Sequence, residues 1–305
     1  MRAESLGETG RAWVARLPDL VRELEQLWGV EAGGSLAGGS ESLVAEATRA
    51  DGTEAVLKVG LPGSADLNAE ATVYRLASGR GYAKLLAHDP ERNALLLERL
   101  GMPLSRRCES TGARIRAICR TFDDAWVSAG LDHGLMTGAE KARWLANFIA
   151  EQWHALGQPC SAKAKNQALD YAEERAAAFN PEQSVLVHGD AHAENTLIAE
   201  DPGADASLRC KFIDPDGLIA EKACDLAPIM RDWSEELLAG NTEALTRARC
   251  DLLAELTDVP TRPIWQWGYM ERVSTGLVML AIGQREEARQ TLAVADGLAG
   301  VAAPE

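Results

Sequence analysis

No run in the sequence approaches the ~20 consecutive apolar residues that a membrane span requires. The first twenty residues carry scattered charges and no apolar core, so a secretory signal is not expected. Basic residues are the minority, 31 Lys and Arg against 46 Asp and Glu, a net charge of -15. That balance disfavours nucleic acid as a partner, because phosphate recognition needs a basic face. Six cysteines, at positions 108, 119, 160, 210, 224 and 250, form no CxxC pair and no metal-like spacing. A chain of 305 residues buries its own core without staples, so these read as reduced thiols of a cytoplasmic protein. The signature GxxxxGK[ST] does not occur, which excludes a P-loop NTPase. There is also no internal repeat, no low-complexity linker and no coiled-coil heptad, and monomer is the default expectation.

What is present is an ordinary globular composition, 46% hydrophobic and 25% charged. The acidity is uneven. Residues 1–100 hold 11 basic and 15 acidic side chains, whereas 192–236 alone hold 4 and 11, a balance of -7. An acidic wall of that kind raises the local concentration of cations, although plain solubility explains it equally.

The patterning changes character along the chain. Residues 18–28 read as a helix with Pro18 in its first turn, Leu20, Leu24 and Leu27 on one face, and Gly29 as its stop. A glycine-rich stretch, 33–40, precedes two candidate strands at 42–49 and 54–60 joined by Asp51-Gly52. A helix near 66–79 and a buried strand at 94–97 follow. From about 103 the pattern is helical (111–130, 140–157, 166–179), interrupted by short strands at 184–187, 196–199 and 208–213, with a turn-rich 201–205 between the last two. Helical patterns, one of them apolar at 269–282, run to the end. The organisation is α+β in two lobes, a β-rich segment at 1–100 and a mainly helical one at 101–305, with the boundary near Gly101-Met102-Pro103.

Polar chemistry concentrates in His188-Gly189-Asp190-Ala191-His192-Ala193-Glu194-Asn195 and in Ile213-Asp214-Pro215-Asp216-Gly217. If 196–199 and 208–213 form an antiparallel hairpin, Asn195 and Asp214 lie side by side at its open end. An amide oxygen and a carboxylate are hard ligands suited to Mg²⁺, which keeps waters and takes substrate phosphates as further ligands. Asp190, on the loop leading in, is placed to accept a proton from an incoming hydroxyl. A loop base with two oxygen ligands is the apparatus of kinase-type phosphoryl transfer. Lys58 fits the same plan. It lies inside the apolar strand Val56-Leu57-Lys58-Val59, where an ammonium needs a partner, and Glu70 on the next helix is the candidate. Each piece alone has a plainer reading: a turn for 33–40 and for Asp214–Gly217, an edge-strand lysine for Lys58, a solvated helix residue for Glu70. The order of the pieces together is what points to catalysis. A rival reading takes His188, Asp190 and His192 as metal ligands of a hydrolase resembling the metallophosphoesterases, but the remaining histidines (88, 133 and 154) sit in no second ligand cluster. His188 is then a packing and hydrogen-bonding residue that shapes the loop.

His188–Asn195 resembles the HGDxHxxN loop of the aminoglycoside phosphotransferases and related small-molecule kinases, with Asp214 where that family's metal-binding Asp belongs. Residues 10–18, 50–59, 94–100, Asp214–Gly217, Cys224-Asp225-Leu226 and Glu271-Arg272-Val273 extend the resemblance to the streptomycin 6-phosphotransferase and hydroxyurea phosphotransferase branch, over about 10–290. It implies a protein-kinase-like bilobal fold, ATP with Mg²⁺, and transfer of the γ-phosphoryl group to a small-molecule hydroxyl. On this resemblance Asp190 is the base, Asn195 and Asp214 hold the metal, Lys58 contacts ATP phosphates with Glu70 as its partner, and Glu98 to Leu100 form the hinge near the adenine. Ala191 departs from the Leu that relatives often carry, which bears on loop packing rather than chemistry. Streptomycin is the acceptor expected, with Asp216, Glu221, Asp225 and Glu271 as candidate contacts to its cationic groups. Hydroxyurea, a housekeeping metabolite, or a nucleotide-binding protein without turnover stand as alternatives.

Overall fold

The computed structural model describes residues 7–36, 41–63, 66–107, 110–199 and 208–305. Three features expected from sequence lie wholly or partly outside them: the Gly38-Gly39-Ser40 end of the glycine-rich stretch, the 201–205 turn and Cys108. The chain divides after Gly101 into two compact units.

Among the described residues the first unit is a five-stranded antiparallel sheet with two helices. Its elements are α1 (Gly7–Trp28), β1 (Val30–Ser35), β2 (Ser42–Arg49), β3 (Glu54–Gly60), α2 (Leu67–Ala77), β4 (Leu85–Asp89) and β5 (Ala94–Glu98), with strand order β1-β2-β3-β5-β4. Period-2 alternation sends Ala55, Leu57 and Val59 of β3 to one face, where they join Trp13, Leu20 and Leu24 of α1 in one apolar cluster. That cluster corrects the sequence reading of the first helix. It begins at Gly7 rather than at Pro18, because the apolar stripe continues upstream through Leu17 and Trp13. Burying that stripe outweighs the hydrogen bond that an interior proline forfeits. Leu27, assigned to the same face, is instead 56% exposed. The glycine-rich segment also starts inside a strand, since Gly33 and Gly34 belong to β1 at a break in its register with β2. In α2 the Asp66 carboxylate caps the first turn by accepting from the Asn68 N–H.

The second unit holds α3 (Leu104–Arg107), α4 (Thr111–Ala125), β6 (Met136–Thr137), α5 (Gly138–Ala155), α6 (Ala162–Ala177), β7 (Val185–Val187), β8 (Thr196–Ile198), β9 (Cys210–Phe212), β10 (Leu218–Ala220), α7 (Ala223–Arg231), α8 (Ser234–Leu238), α9 (Thr242–Thr257), α10 (Thr261–Ala281) and α11 (Arg285–Gly297). Strands β6, β10 and β7 make one small sheet and β8 pairs antiparallel with β9. Helix α5 starts with a full capping box, Thr137 and Glu140 each satisfying the other's backbone N–H. The buried centre is α10, packed against α5, α6, α7, α9 and α11, with Trp265, Trp267, Met270 and Arg272 enclosed. Helices α7 and α10 approach so closely at Gly268 that a Cβ there would lie 2.4 Å from the Met230 Cβ. Cys119, Cys160, Cys210, Cys224 and Cys250 are all free thiols. Among the described residues no helix is long and apolar enough to cross a membrane.

Candidate active site

In the first unit Lys58 and Glu70 form one buried pair. Lys58 sits on the face of β3 opposite Leu57 and Val59, across from Val44 and Leu95, and is 6% exposed. The partner that a buried ammonium requires is Glu70, whose Oε2 accepts from Lys58 Nζ at 2.6 Å while its Oε1 accepts from the Tyr74 hydroxyl at 3.0 Å. Glu98 closes β5, its carboxylate accepting from the Lys84 N–H at 2.9 Å, and Leu100 is buried beyond it.

In the second unit β7 delivers the chain into the polar loop. Gly189 adopts φ +91°, a conformation that strains any residue with a Cβ. A Cβ there would also meet Leu218 Cδ1 at 2.7 Å and Asp216 Cβ at 2.9 Å. The loop is held from beneath by Asp225 in the first turn of α7. Its Oδ2 accepts from the His188 N–H at 3.0 Å and the Trp126 indole at 2.9 Å, and its Oδ1 accepts from the Gly189 N–H at 2.8 Å. Burial pushes this carboxyl above its ordinary range, against the pull of His188 and the three donors. His188 is fully enclosed. Its Nδ1 accepts from the Asp190 N–H at 3.1 Å, which assigns the ring proton to Nε2, the atom that donates to the Ile213 carbonyl at 2.8 Å. Both ring nitrogens are therefore committed to the loop, and His188 ligates no metal.

Asp190 is half-buried at the tip of this scaffold. Its Oδ1 lies 3.3 Å from Arg231 Nη2 and its Oδ2 3.4 Å from His192 Nε2. Burial on its own would raise this carboxyl, but the His192 bond and the Arg231 charge win and hold it well below the usual carboxylate range. The β8–β9 pairing sets Thr196 opposite Phe212, so Asn195 and Ile213-Asp214 end the two strands side by side, tied by a 3.0 Å bond from the Ile213 N–H to the Asn195 carbonyl. Asn195 Nδ2 donates to the Asp190 carbonyl at 3.2 Å, which turns the amide oxygen away from that bond. The hairpin end thus carries an amide oxygen and a carboxylate, hard oxygen donors of the kind that Mg²⁺ takes.

The four acidic residues expected to meet a cationic ligand separate into two groups. Asp216 and Glu271 share Lys141, whose Nζ lies 3.9 Å and 3.7 Å from them and 5.2 Å from the Trp144 ring. Asp225 and Glu221 do not belong to a ligand surface. Asp225 spends both oxygens on the loop, and Glu221 accepts from Arg175 and from the Trp267 indole at 2.8 Å, tying α6 to α10. Sequence reasoning located charge in these two residues and missed the burial of Asp225 and the protein partners that hold Glu221, which the fold alone decides. It also missed Arg231 and Lys141, which carry no motif and reach Asp190 and Glu271 only through tertiary packing.

Comparison with known proteins places the chain. A family profile described as aminoglycoside/hydroxyurea antibiotic resistance kinase matches residues 27–283. The chain belongs to that kinase family. Members are phosphotransferases that act on small-molecule hydroxyls, and this kinase is 30% identical to a streptomycin 6-kinase of Streptomyces glaucescens over 88% of its own length and 84% of the relative's. It is likewise 30% identical to a hydroxyurea phosphotransferase of Kitasatospora aureofaciens, over 77% and 69%. Among solved structures, choline kinase LicA of Streptococcus pneumoniae superposes with a TM-score of 0.61 at 13% identity, covering 93% of this kinase and 99% of LicA, and LicA has also been solved in complex with AMP. The α+β fold of the kinase is that of the protein-kinase-like phosphotransferases.

Proposed function

We propose that this kinase moves the γ-phosphoryl group of ATP, with Mg²⁺, to a hydroxyl of a cationic small molecule, and that streptomycin is the acceptor, so that the reaction inactivates the antibiotic. The first unit then serves the nucleotide and the second the metal and the acceptor. Asp190 carries the reading: a loop carboxylate held ionised on a rigid backbone, at the foot of a hairpin whose end presents two hard oxygen ligands.

In this reading Lys58 binds the α- and β-phosphates, and Glu70 with Tyr74 fixes the ammonium for that contact. Glu98 to Leu100 border the adenine. Asn195 and Asp214 would hold Mg²⁺, which when bound would neutralise charge on the transferring phosphoryl group. Asp190 orients the acceptor hydroxyl and takes its proton on a carboxylate oxygen as the acceptor oxygen bonds the γ-phosphorus and the bridge to ADP breaks. Because the transition state of such transfers is loose, a weakly basic carboxylate suffices, its main work being orientation. Asp216, exposed beside Lys141, is the acid available to a guanidinium or ammonium group of the acceptor, whereas Glu271 is buried between Lys141 and Arg231 and acts through them. The enzyme acts as a cytoplasmic monomer.

The test is ADP release by the purified protein with Mg·ATP against streptomycin, other aminoglycosides, hydroxyurea and small metabolite alcohols. Streptomycin-dependent turnover supports the proposal. Turnover on hydroxyurea alone establishes the second reading, which the hydroxyurea phosphotransferase relative favours. Nucleotide binding with no turnover on any acceptor refutes both.

A further inference from the structure

We infer that Arg231 is a positioning residue for Asp190: its guanidinium, locked by α7 and α10, fixes the direction in which the carboxylate meets the acceptor hydroxyl. The inference rests on the phosphotransfer reading above. Helix α7 grips the polar loop at both ends. Asp225 in its first turn takes the backbone N–H groups of His188 and Gly189, and Arg231, its last residue, takes the Asp190 side chain.

The grip at the Arg231 end is rigid for a specific reason. A guanidinium is planar with its donors in a fixed fork, so tying two of its nitrogens determines where the third points. Arg231 Nε donates to Asp232 Oδ1 at 3.0 Å, and Nη1 lies 3.4 Å from Thr275 Oγ1 and 3.9 Å from Glu271 Oε2 on α10. The remaining nitrogen, Nη2, is the one that meets Asp190 Oδ1. The backbone around Arg231 is fixed as well. Arg272 donates to the Met230 carbonyl, and Arg249 donates to the Asp232 carbonyl at 2.6 Å, so the carbonyls on either side of Arg231 are satisfied by buried cations on α10 and α9. With Oδ1 taken by the fork, Oδ2 is the oxygen left to share between His192 and an acceptor hydroxyl. A lysine at 231 would supply the charge without the fork, which separates direction from simple charge balance.

The experiment compares wild type, R231K and R231M in steady-state transfer to streptomycin, together with crystal structures of wild type and R231M. A positioning role predicts that kcat falls about 100-fold in R231M, the size of loss that a misplacement of ~1 Å produces, with KM for ATP and acceptor changed less than about threefold. R231K is expected to recover about tenfold of that loss, because it restores charge and not the fork. In the R231M crystal the Asp190 carboxylate rotates away from its wild-type direction. A kcat for R231M within about threefold of wild type, or a loss that appears in KM and melting temperature together and is not relieved in R231K, overturns the inference. Should R231M fail to fold, R231K alone decides, wild-type kcat contradicting the role of the fork. If wild type turns over no acceptor, the phosphotransfer reading fails by itself, and an unmoved Asp190 in R231M then overturns the positioning role independently.

Discussion

Replacing Asp225 by Asn tests the link between the buried centre of the second unit and its chemistry. The native carboxylate serves three donors, with Oδ2 taking the His188 N–H and the Trp126 indole and Oδ1 taking only the Gly189 N–H. An asparagine keeps the better-used position as its carbonyl oxygen and turns its NH₂ toward Gly189. One charge-assisted bond, worth about 1.5–3 kcal/mol, is then lost and a buried backbone donor is left unsatisfied. Burial already opposes the charged form of Asp225, so the neutral amide recovers part of that loss. The net expectation for D225N is about 2 kcal/mol of destabilisation. D225A removes all three bonds and orphans two backbone donors, for about 4–6 kcal/mol, a large share of the 5–15 kcal/mol by which domains are stable. Urea unfolding followed by tryptophan emission is the assay, because Trp126 is itself one of the three donors. Since Gly189 immediately precedes Asp190, D225N is also expected to lower kcat by about 10–100-fold. A D225N protein within ~0.5 kcal/mol and twofold in kcat of wild type would refute the reasoning, because it would mean that the loop holds itself.

Other consequences follow from the same geometry. K58M leaves Glu70 buried and uncompensated and is expected to cost about 3–5 kcal/mol by urea unfolding, with weakened ATP binding by calorimetry, whereas the double variant K58M/E70Q regains much of the stability and none of the ATP affinity. G189A forces a Cβ against Leu218 and Asp216 at φ +91° and is expected to lower stability by at least ~2 kcal/mol in the same assay. Burial depresses the His188 pKa, against the pull of Asp225. The unfolded chain therefore takes up a proton near pH 6.5 that the folded chain refuses, and stability is lost as pH falls below that value, by up to about 1.4 kcal/mol per unit. His192, whose pKa is raised by Asp190 against the cost of burial, contributes the opposite slope, lost as pH rises through its folded value. The difference between wild type and H188Q from pH 5 to 7 isolates the first, and a difference with no pH dependence would contradict the neutral, enclosed histidine.

How far the sequence carried depends on which physical signal each element leaves. Strands β2, β3 and β5 were legible because alternation and an Asp-Gly turn mark them. Lys58 was legible because an ammonium between Leu57 and Val59 demands an acid, and Glu70 is the one on the adjoining helix. Strand β4 at the sheet edge and the very short β6 and β10 are specified by their neighbours rather than by their own pattern, and they left no signal. The start of α1 was masked by Pro18, whose local preference the burial of Trp13 and Leu20 overrides. At the site, the motif residues could be read in order along the chain, but Arg231 and Lys141 could not. Their importance lies in partners 40 or more residues away, brought close by the packing of α7 and α5 on α10.

The central claim is that Asp190 serves transfer of a phosphoryl group to a streptomycin hydroxyl, and ³¹P NMR of the product formed by wild type and D190N with Mg·ATP tests it most directly. The account predicts a streptomycin phosphate ester with wild type and at least ~100-fold slower formation with D190N at unchanged ATP affinity. Ester formation by D190N at the wild-type rate would contradict it.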